Sequence, residues 1–527
     1  MPTRHHLRAR DETGLRQFAE LVATFVQPGD LIALEGDLGA GKTTFARALI
    51  AKLLGDANED IPSPTFTLVQ TYETSRMPVA HLDLYRIRDA AEVDELGIDH
   101  ALTRGIVLVE WPENGGDRLP ADRIVIGLEE ARTSHGDIDP DRRDISFHGL
   151  GTQAGRADRL HAITMILDEI GWNMPEASID YLQGDASARR YARVSVPSRG
   201  PLVLMDWPRQ PDGPPIADGL PYSRIAHLAE DVRPFIAVAN ALIAEGLAAP
   251  RIVAANIEQG LLVIDDLGDG VYGRALAGGR DQYELWHAAV DVLVRLRGLR
   301  ADLPLPVDGG ESWTLPHYDA RAMAIEVSLL IDWLWPFARG SAPPADIRAE
   351  YTSLWQDVIA RLTGDADHGD TSHPARRDHG IVLRDYHSPN LIWRSGEQGL
   401  ARVGIIDFQD AVQGPFAYDL VSLLQDARLD VSADLERSLL DDYCAAVRAS
   451  DANFDTRSFR LDYAALGAQR NSKILGIFAR LAVRDHKPHY LVHMPRVRRY
   501  LERNLAHPDL APLAAFHRRH LDDIGRG

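Results

Sequence analysis

Two stretches of this 527-residue chain combine residue types that handle phosphate. The first, Gly36-Asp37-Leu38-Gly39-Ala40-Gly41-Lys42-Thr43, fits G-x-x-x-x-G-K-[ST] and leads into Thr44. Glycines there let backbone N–H groups curl around phosphate oxygens, and a following helix offers its positive N-terminal end. Lys42 reaches the outer phosphates of ATP, and the Thr43 hydroxyl is a ligand for Mg2+. A carboxylate must then hold metal and water. Asp83, in His81-Leu-Asp-Leu-Tyr-Arg86, and Glu110, in Val109-Glu-Trp-Pro-Glu113, stand at the ends of strand-like runs, where ligands bind in open α/β sheets. Ser63-Pro-Thr-Phe66 is either a γ-phosphate-responsive hydroxyl loop or a plain Pro-fixed turn.

The second stretch is Leu383-Arg-Asp385-Tyr-His-Ser-Pro-Asn390, followed by Ile405-Ile-Asp407-Phe-Gln-Asp410. This spacing suits phosphoryl transfer: Asp385 accepts the proton of a substrate hydroxyl, and Asn390 and Asp407 hold Mg2+ on the ATP phosphates. A strand, a turn and a second strand between Asn390 and Asp407 would bring the two together. Upstream, Gly184-Asp-Ala-Ser187 is small enough for close phosphate approach, and Arg189 and Arg190 follow with charge. Ser187 and Arg190 are the expected ATP-binding residues of this second site; an ordinary hairpin with exposed Arg is the alternative. Arg470, Asn471 and Lys473 share a helical pattern with apolar neighbours. They either contact substrate or brace the loop, or they form a buried hydrogen-bonded network.

Different elements must position these residues. Leu31–Glu35 and Ile106–Glu110 are short buried strands, and Thr44–Leu54 has helical spacing and stops at Gly55. Strands alternating with helices predict an α/β fold with a mostly parallel sheet over residues 1–150. Asp144–His148 is expected as a last edge strand. Residues 131–158 are rich in Gly, Asp, Arg and Ser, and within them Gly149–Gly155 is the best linker candidate, so 151–158 is expected to link to a second domain over 159–527. That domain begins with a helix, Leu160–Ile170. Strands follow near Ala192–Val196, Leu202–Met205 and Leu261–Asp265, and the chain is mainly helical after Tyr283.

Composition narrows the function classes. Lys and Arg number 57 and Asp and Glu 77, a net charge of −20 shared equally between residues 1–150 and the remainder. Strong direct nucleic-acid binding is not expected, since phosphate neutralisation needs clustered cations. The single cysteine, Cys444, allows no intrachain disulfide and suggests a reducing cytoplasm. No apolar run is long enough to span a membrane.

The glycine-rich segment, Ser63–Phe66, His81–Arg86 and Glu110–Glu113, in this order, resemble the TsaE (YjeE) family of P-loop ATPases of bacterial tRNA threonylcarbamoyladenosine synthesis. The resemblance implies that Thr43 and Glu110 hold Mg2+, that Asp83 is needed for hydrolysis and that Thr13 lies near the nucleotide. It also implies partner proteins of the tRNA threonylcarbamoyltransferase complex, TsaB- and TsaD-like. The later motifs resemble the two-lobed, protein-kinase-like aminoglycoside phosphotransferase superfamily. With Gln469-Arg-Asn-Ser-Lys-Ile-Leu-Gly-Ile-Phe-Ala-Arg480, they are most similar to its anomeric kinases for N-acetylmuramate and N-acetylglucosamine in cell-wall recycling. The resemblance implies an N-lobe over about 159–268 and an amino-sugar substrate. Other acceptors (an aminoglycoside, choline, homoserine) and a non-catalytic nucleotide sensor are the alternatives. Two departures stand out. Leu383 replaces the usual loop-bracing His, and Leu202–Pro208 offers no Lys for the α and β phosphates, a role that Arg189, Arg190 or Arg193 would have to fill.

Overall fold

The computed structural model describes residues 3–56, 59–133, 135–174, 176–182, 189–364 and 378–522, without the side chains of residues 8, 9 and 308. It divides into two compact units, Met1–Pro208 with Val253–Asp266, and Arg209–Ile252 with Leu267–Gly527.

The first unit contains a seven-stranded sheet. Its strands are β1 (His5–Arg10), β2 (Leu31–Glu35), β3 (Val69–Tyr72), β4 (Val79–Asp83), β5 (Ile106–Glu110), β6 (Arg123–Arg132) and β7 (Ile138–Leu150). They lie in the order β1-β7-β6-β2-β5-β4-β3. The central strands β6, β2, β5 and β4 are parallel, and β1, β7 and β3 join antiparallel. β2, β4 and β5 are near-continuous apolar runs because both of their faces are covered. Alternate residues feed two cores: Leu31, Ala33, Val107 and Val109 on one face, Ile32, Leu34, Ile106 and Leu108 on the other. The edge position expected for Asp144–His148 belongs to β1, which pairs along the outside of β7.

The expected linker is ordered structure. Gly151–Gln153 form a 3-10 turn that runs directly into the helix Ala154–Glu169. This helix stands beside a five-stranded sheet made of β8 (Ser178–Leu182), β9 (Arg190–Ser195), β10 (Leu202–Asp206), β11 (Ile252–Asn256) and β12 (Leu261–Asp265). Leu160, Ile163 and Leu167 of the helix join one continuous apolar cluster. The cluster holds Leu15, Phe18 and Val22 of the helix Glu12–Phe25 together with Ile179, Val194, Leu204 and Val263 of the five-stranded sheet. The two sheets of this unit therefore share a core.

The second unit is mainly helical, its longest helix being Thr456–Val483. Two short antiparallel pairs, His379–Val382 with Val412–Pro415 and Leu391–Trp393 with Val403–Ile405, frame the second candidate site. No helix among the described residues is long and apolar enough to cross a membrane.

The shared core makes a prediction. Leu160 is fully buried, so Leu160→Ala is expected to cost about 2–5 kcal/mol. Hydrogen exchange should show β2 and β10 losing protection together; loss confined to β8–β12 would mean separate cores.

Candidate active sites

β2 delivers the glycine-rich loop to the start of the helix Lys42–Leu54. Gly36 has φ 139°, and a Cβ there would meet Leu128 O at 2.3 Å. Gly41 has φ 105° and faces Leu15 so closely that a Cβ would sit 2.9 Å from its Cδ2. Neither position tolerates a side chain. The Lys42 ammonium donates to Gly36 O at 2.6 Å and Asp37 O at 2.9 Å, and lies 3.5 Å from the centre of the Trp111 ring. Burial lowers its pKa, an effect opposed by the nearby carboxylates of Glu110, Glu113 and Asp83. From across the sheet, Arg143 donates to Ala40 O at 3.0 Å and Gly39 O at 3.2 Å and fixes the outside of the loop.

Parallel pairing places Asp83 opposite Glu110, and Glu110 opposite Leu34, at the ends of three adjacent strands. Thr43 Oγ1 donates to Glu110 Oε2 at 2.8 Å, and His81 Nε2 lies 3.0 Å from Glu110 Oε1. Asp83 accepts from Thr65 Oγ1 at 2.8 Å, Ser63 Oγ at 3.2 Å and Tyr85 N at 3.0 Å. The structure thus brings together Gly36–Thr43, Glu110, Asp83 and the Ser63–Thr65 hydroxyls. Thr44 is half-buried on the helix that follows. Thr13 is exposed in the first turn of the helix Glu12–Phe25, and Leu38 is 80% exposed. A hydroxyl beside a carboxylate is a hard oxygen pair, which suits a small divalent cation completed by phosphate and water.

In the second unit, the hairpin Leu391–Trp393/Val403–Ile405 does what the spacing anticipated. Leu391 pairs with Ile405, and Ile406 N donates to Asn390 O at 3.1 Å. Asn390 Nδ2 donates to Asp385 O at 3.0 Å and to Asp407 Oδ2 at 3.3 Å, so the three residues converge. Gln409 Nε2 donates to Asp407 Oδ1 at 3.1 Å. Asp407 and Arg384 both hold positive φ, 62° and 67°, a strain that persists only where the surroundings fix the backbone.

The brace that Leu383 does not supply comes from buried carboxylates. Asp419 accepts from Leu383 N at 2.6 Å and Arg384 N at 2.9 Å, and Asp426 accepts from Ser388 N at 2.8 Å. Burial pushes the Asp419 carboxyl up to about 7, against the pull of those two N–H donors. Arg384 turns inward, donating to Ala226 O at 2.6 Å and pairing with Glu326. Glu326 is fully buried and also accepts from Lys473 Nζ at 2.7 Å, Gln469 Nε2 at 3.0 Å and the Tyr318 hydroxyl. Lys473 is therefore part of the brace, and Asn471 belongs to a separate buried network with Gln425. Sequence spacing gives no sign of Arg143, Asp419, Asp426 or Glu326 as functional. A carboxylate inside the apolar runs Phe416–Leu424 or Ala322–Leu330 is the signal that was there to find.

Arg190, expected at the ATP phosphates, has protein partners in this structure. Its guanidinium donates to Gln27 Oε1 at 2.9 Å and faces Phe25 O, at the C-terminal end of the helix Glu12–Phe25. Arg193 pairs with Asp266, and Arg189 lies over the Trp207 ring at 4.9 Å. Ser187 lies outside the described residues. On the third strand of this sheet, where a Lys is usual, Asp206 pairs with Arg159.

Burial opposes the Glu326 charge, but the Lys473 and Arg384 cations outweigh it and hold the carboxyl at about 2. An unfolded Glu titrates near 4.3. Its stabilisation is therefore complete above about pH 4 and is lost as pH falls toward 2. Glu326→Gln is expected to cost on the order of 3–5 kcal/mol by stranding two buried cations. Melting curves should show wild type losing this difference in acid; equal stability of the two proteins at pH 7 would contradict it.

Comparisons with known proteins assign the two sites to different families. The family profile for Threonylcarbamoyl adenosine biosynthesis protein TsaE matches residues 9–138, and that of the Phosphotransferase enzyme family matches residues 178–460. An N-acetylmuramate/N-acetylglucosamine kinase of Caulobacter vibrioides is 38% identical over 349 residues, 64% of this chain and 91% of that protein. The kinase of the same description from Pseudomonas aeruginosa is 32% identical over 349 residues, 65% of this chain and 89% of that protein. A tRNA threonylcarbamoyladenosine biosynthesis protein TsaE of Rickettsia prowazekii is 44% identical over 144 residues, 27% of this chain and 93% of that protein. By sequence and by the geometry of its two phosphate-handling sites, the chain belongs to the TsaE family through residues 9–138 and to the phosphotransferase enzyme family through residues 178–460.

Proposed function

We propose that this protein is bifunctional. Its P-loop domain, taken as residues 1–150, hydrolyses ATP in support of tRNA threonylcarbamoyladenosine formation. The domain over 159–527 transfers a phosphoryl group from ATP to the anomeric hydroxyl of N-acetylmuramate or N-acetylglucosamine. The observation that carries the second half is the convergence of Asp385, Asn390 and Asp407, in a chain whose curated relatives over this region are named as kinases of those two sugars.

At the kinase site, Asp385 takes no side-chain hydrogen bond from any described residue, which leaves its carboxylate available to a substrate hydroxyl. It orients that hydroxyl for in-line attack and accepts its proton as the bond to phosphorus forms. Asn390 and Asp407 would hold Mg2+, which neutralises charge on the transferring phosphoryl group. The rest of the barrier is lowered by positioning, which the Asp419, Asp426 and Glu326 contacts secure. At the P-loop site, Lys42 exchanges its two carbonyl partners for phosphate oxygens, Thr43 and Glu110 would hold Mg2+, and Asp83 orients water. The acidic chain favours docking to TsaB- and TsaD-like proteins over a direct grip on tRNA.

Asp385→Asn is expected to keep the fold and lower sugar-phosphate formation on the order of 10²–10⁴-fold. Near-normal transfer by the folded variant would remove Asp385 from its role. In the same purified protein, Lys42→Ala should abolish acceptor-independent ATP hydrolysis; hydrolysis at the wild-type rate would show that it arises elsewhere.

A further inference from the structure

The phosphotransferase family match begins at residue 178, the first residue of β8. Yet β8, β9 and β10 belong to the same compact unit as the P-loop domain and share its core. This joining is polar as well as apolar. Lys52, on the helix that starts at the glycine-rich loop, donates to Asp180 of β8 at 2.7 Å. Arg76 lies over the ring of Tyr181, the next residue, at 4.3 Å. Arg190, the first residue of β9, donates to Gln27 just beyond the helix Glu12–Phe25. Gln17 of that helix donates to Met174 O and Ala177 O at the entry to β8. Arg10 pairs with Asp168 at 3.2 Å.

The N-terminal part of the helix Glu12–Phe25, close to Gln17, also meets the glycine-rich loop. Leu15 packs against Gly41 with no room for a methyl group between them. In the present arrangement Lys42 is satisfied by the carbonyls of Gly36 and Asp37. Phosphate oxygens carry full negative charge and would draw the ammonium off those dipoles. Any change in loop shape that follows would be felt at Leu15. One rigid, capped helix and one ion pair connect that change to the two first strands of the phosphotransferase. Close-packed interiors transmit such a displacement rather than absorbing it.

We propose that the P-loop domain has a second function, as an in-chain regulator of the phosphotransferase. Nucleotide held at Gly36–Thr43 sets the kinase's affinity for ATP through the helix Glu12–Phe25 and the Lys52–Asp180 contact. Binding linkage makes the effect reciprocal: nucleotide at the kinase site changes affinity at the P-loop by the same factor. The inference builds on the phosphotransferase reading above. It also gives the two activities a physical reason to share a chain.

The test is the KM for ATP of sugar-phosphate formation, a product to which P-loop hydrolysis does not contribute. Full-length wild type is compared with Lys42→Ala and with Thr43→Val, the second guarding against misfolding of the first. A change of about fivefold or more in either folded variant is expected, the lower end of ordinary site-to-site coupling. Adding Asp180→Asn, which removes the nearer of the two carboxylate charges beside Lys52, should shrink that change. Values within twofold of wild type for both P-loop variants would overturn the proposal. If wild type phosphorylates neither amino sugar, the acceptor reading fails, and coupling is decided by hydrogen exchange in Arg190–Ser195. In a full-length Asp407→Asn chain, Mg-ADP should alter that exchange, and Lys42→Ala should abolish the alteration. No response of Arg190–Ser195 to the nucleotide would equally overturn it.

Discussion

The apolar layer around the helices Glu12–Phe25 and Ala154–Glu169 is the constraint on which the N-terminal half depends. A sheet must bury a face, and the five-stranded sheet buries Ile179, Val194, Leu204 and Val263 in the cluster that also holds Phe18 and Leu160. Neither sheet can lose that layer without exposing the other. Two sequence families therefore meet inside one compact unit rather than across a flexible tether.

The two candidate sites solve a common electrostatic problem by different means. A polyphosphate needs donors and cations that are held in place before it arrives. At the P-loop, backbone geometry does this: Gly36 and Gly41 adopt conformations closed to other residues, and Arg143 fixes the outer carbonyls. In the second unit, carboxylates hold the backbone. Asp419 and Asp426 take the N–H groups of Leu383, Arg384 and Ser388, and Glu326 anchors Arg384 from beneath. The Asp385 carboxylate, which no described residue's side chain engages, is thereby left out of this bracing.

Local spacing made much of this legible. The glycine-rich loop, the strand-end positions of Asp83 and Glu110, and the hairpin that joins Asn390 to Asp407 all depend on residues close in sequence or on element type. What depends on distant partners was not legible. Arg190 was expected at phosphate because it follows a small-residue turn, but tertiary packing gives it Gln27, more than 160 residues away. Residues 151–158 have linker composition, yet the core on both sides of the helix Ala154–Glu169 overrides it. Glu326 and Asp419 sit in apolar runs, where only the fold shows which backbone or cation they serve.

Two activities in one polypeptide require two separate nucleotide sites. Calorimetric titration of the full-length protein with a non-hydrolysable ATP analogue and Mg2+ tests this directly. Two analogues bound per chain are predicted, with one binding event lost in Lys42→Ala and the other in Asp407→Asn. A single event per chain, or the loss of both to one of these substitutions, would contradict it.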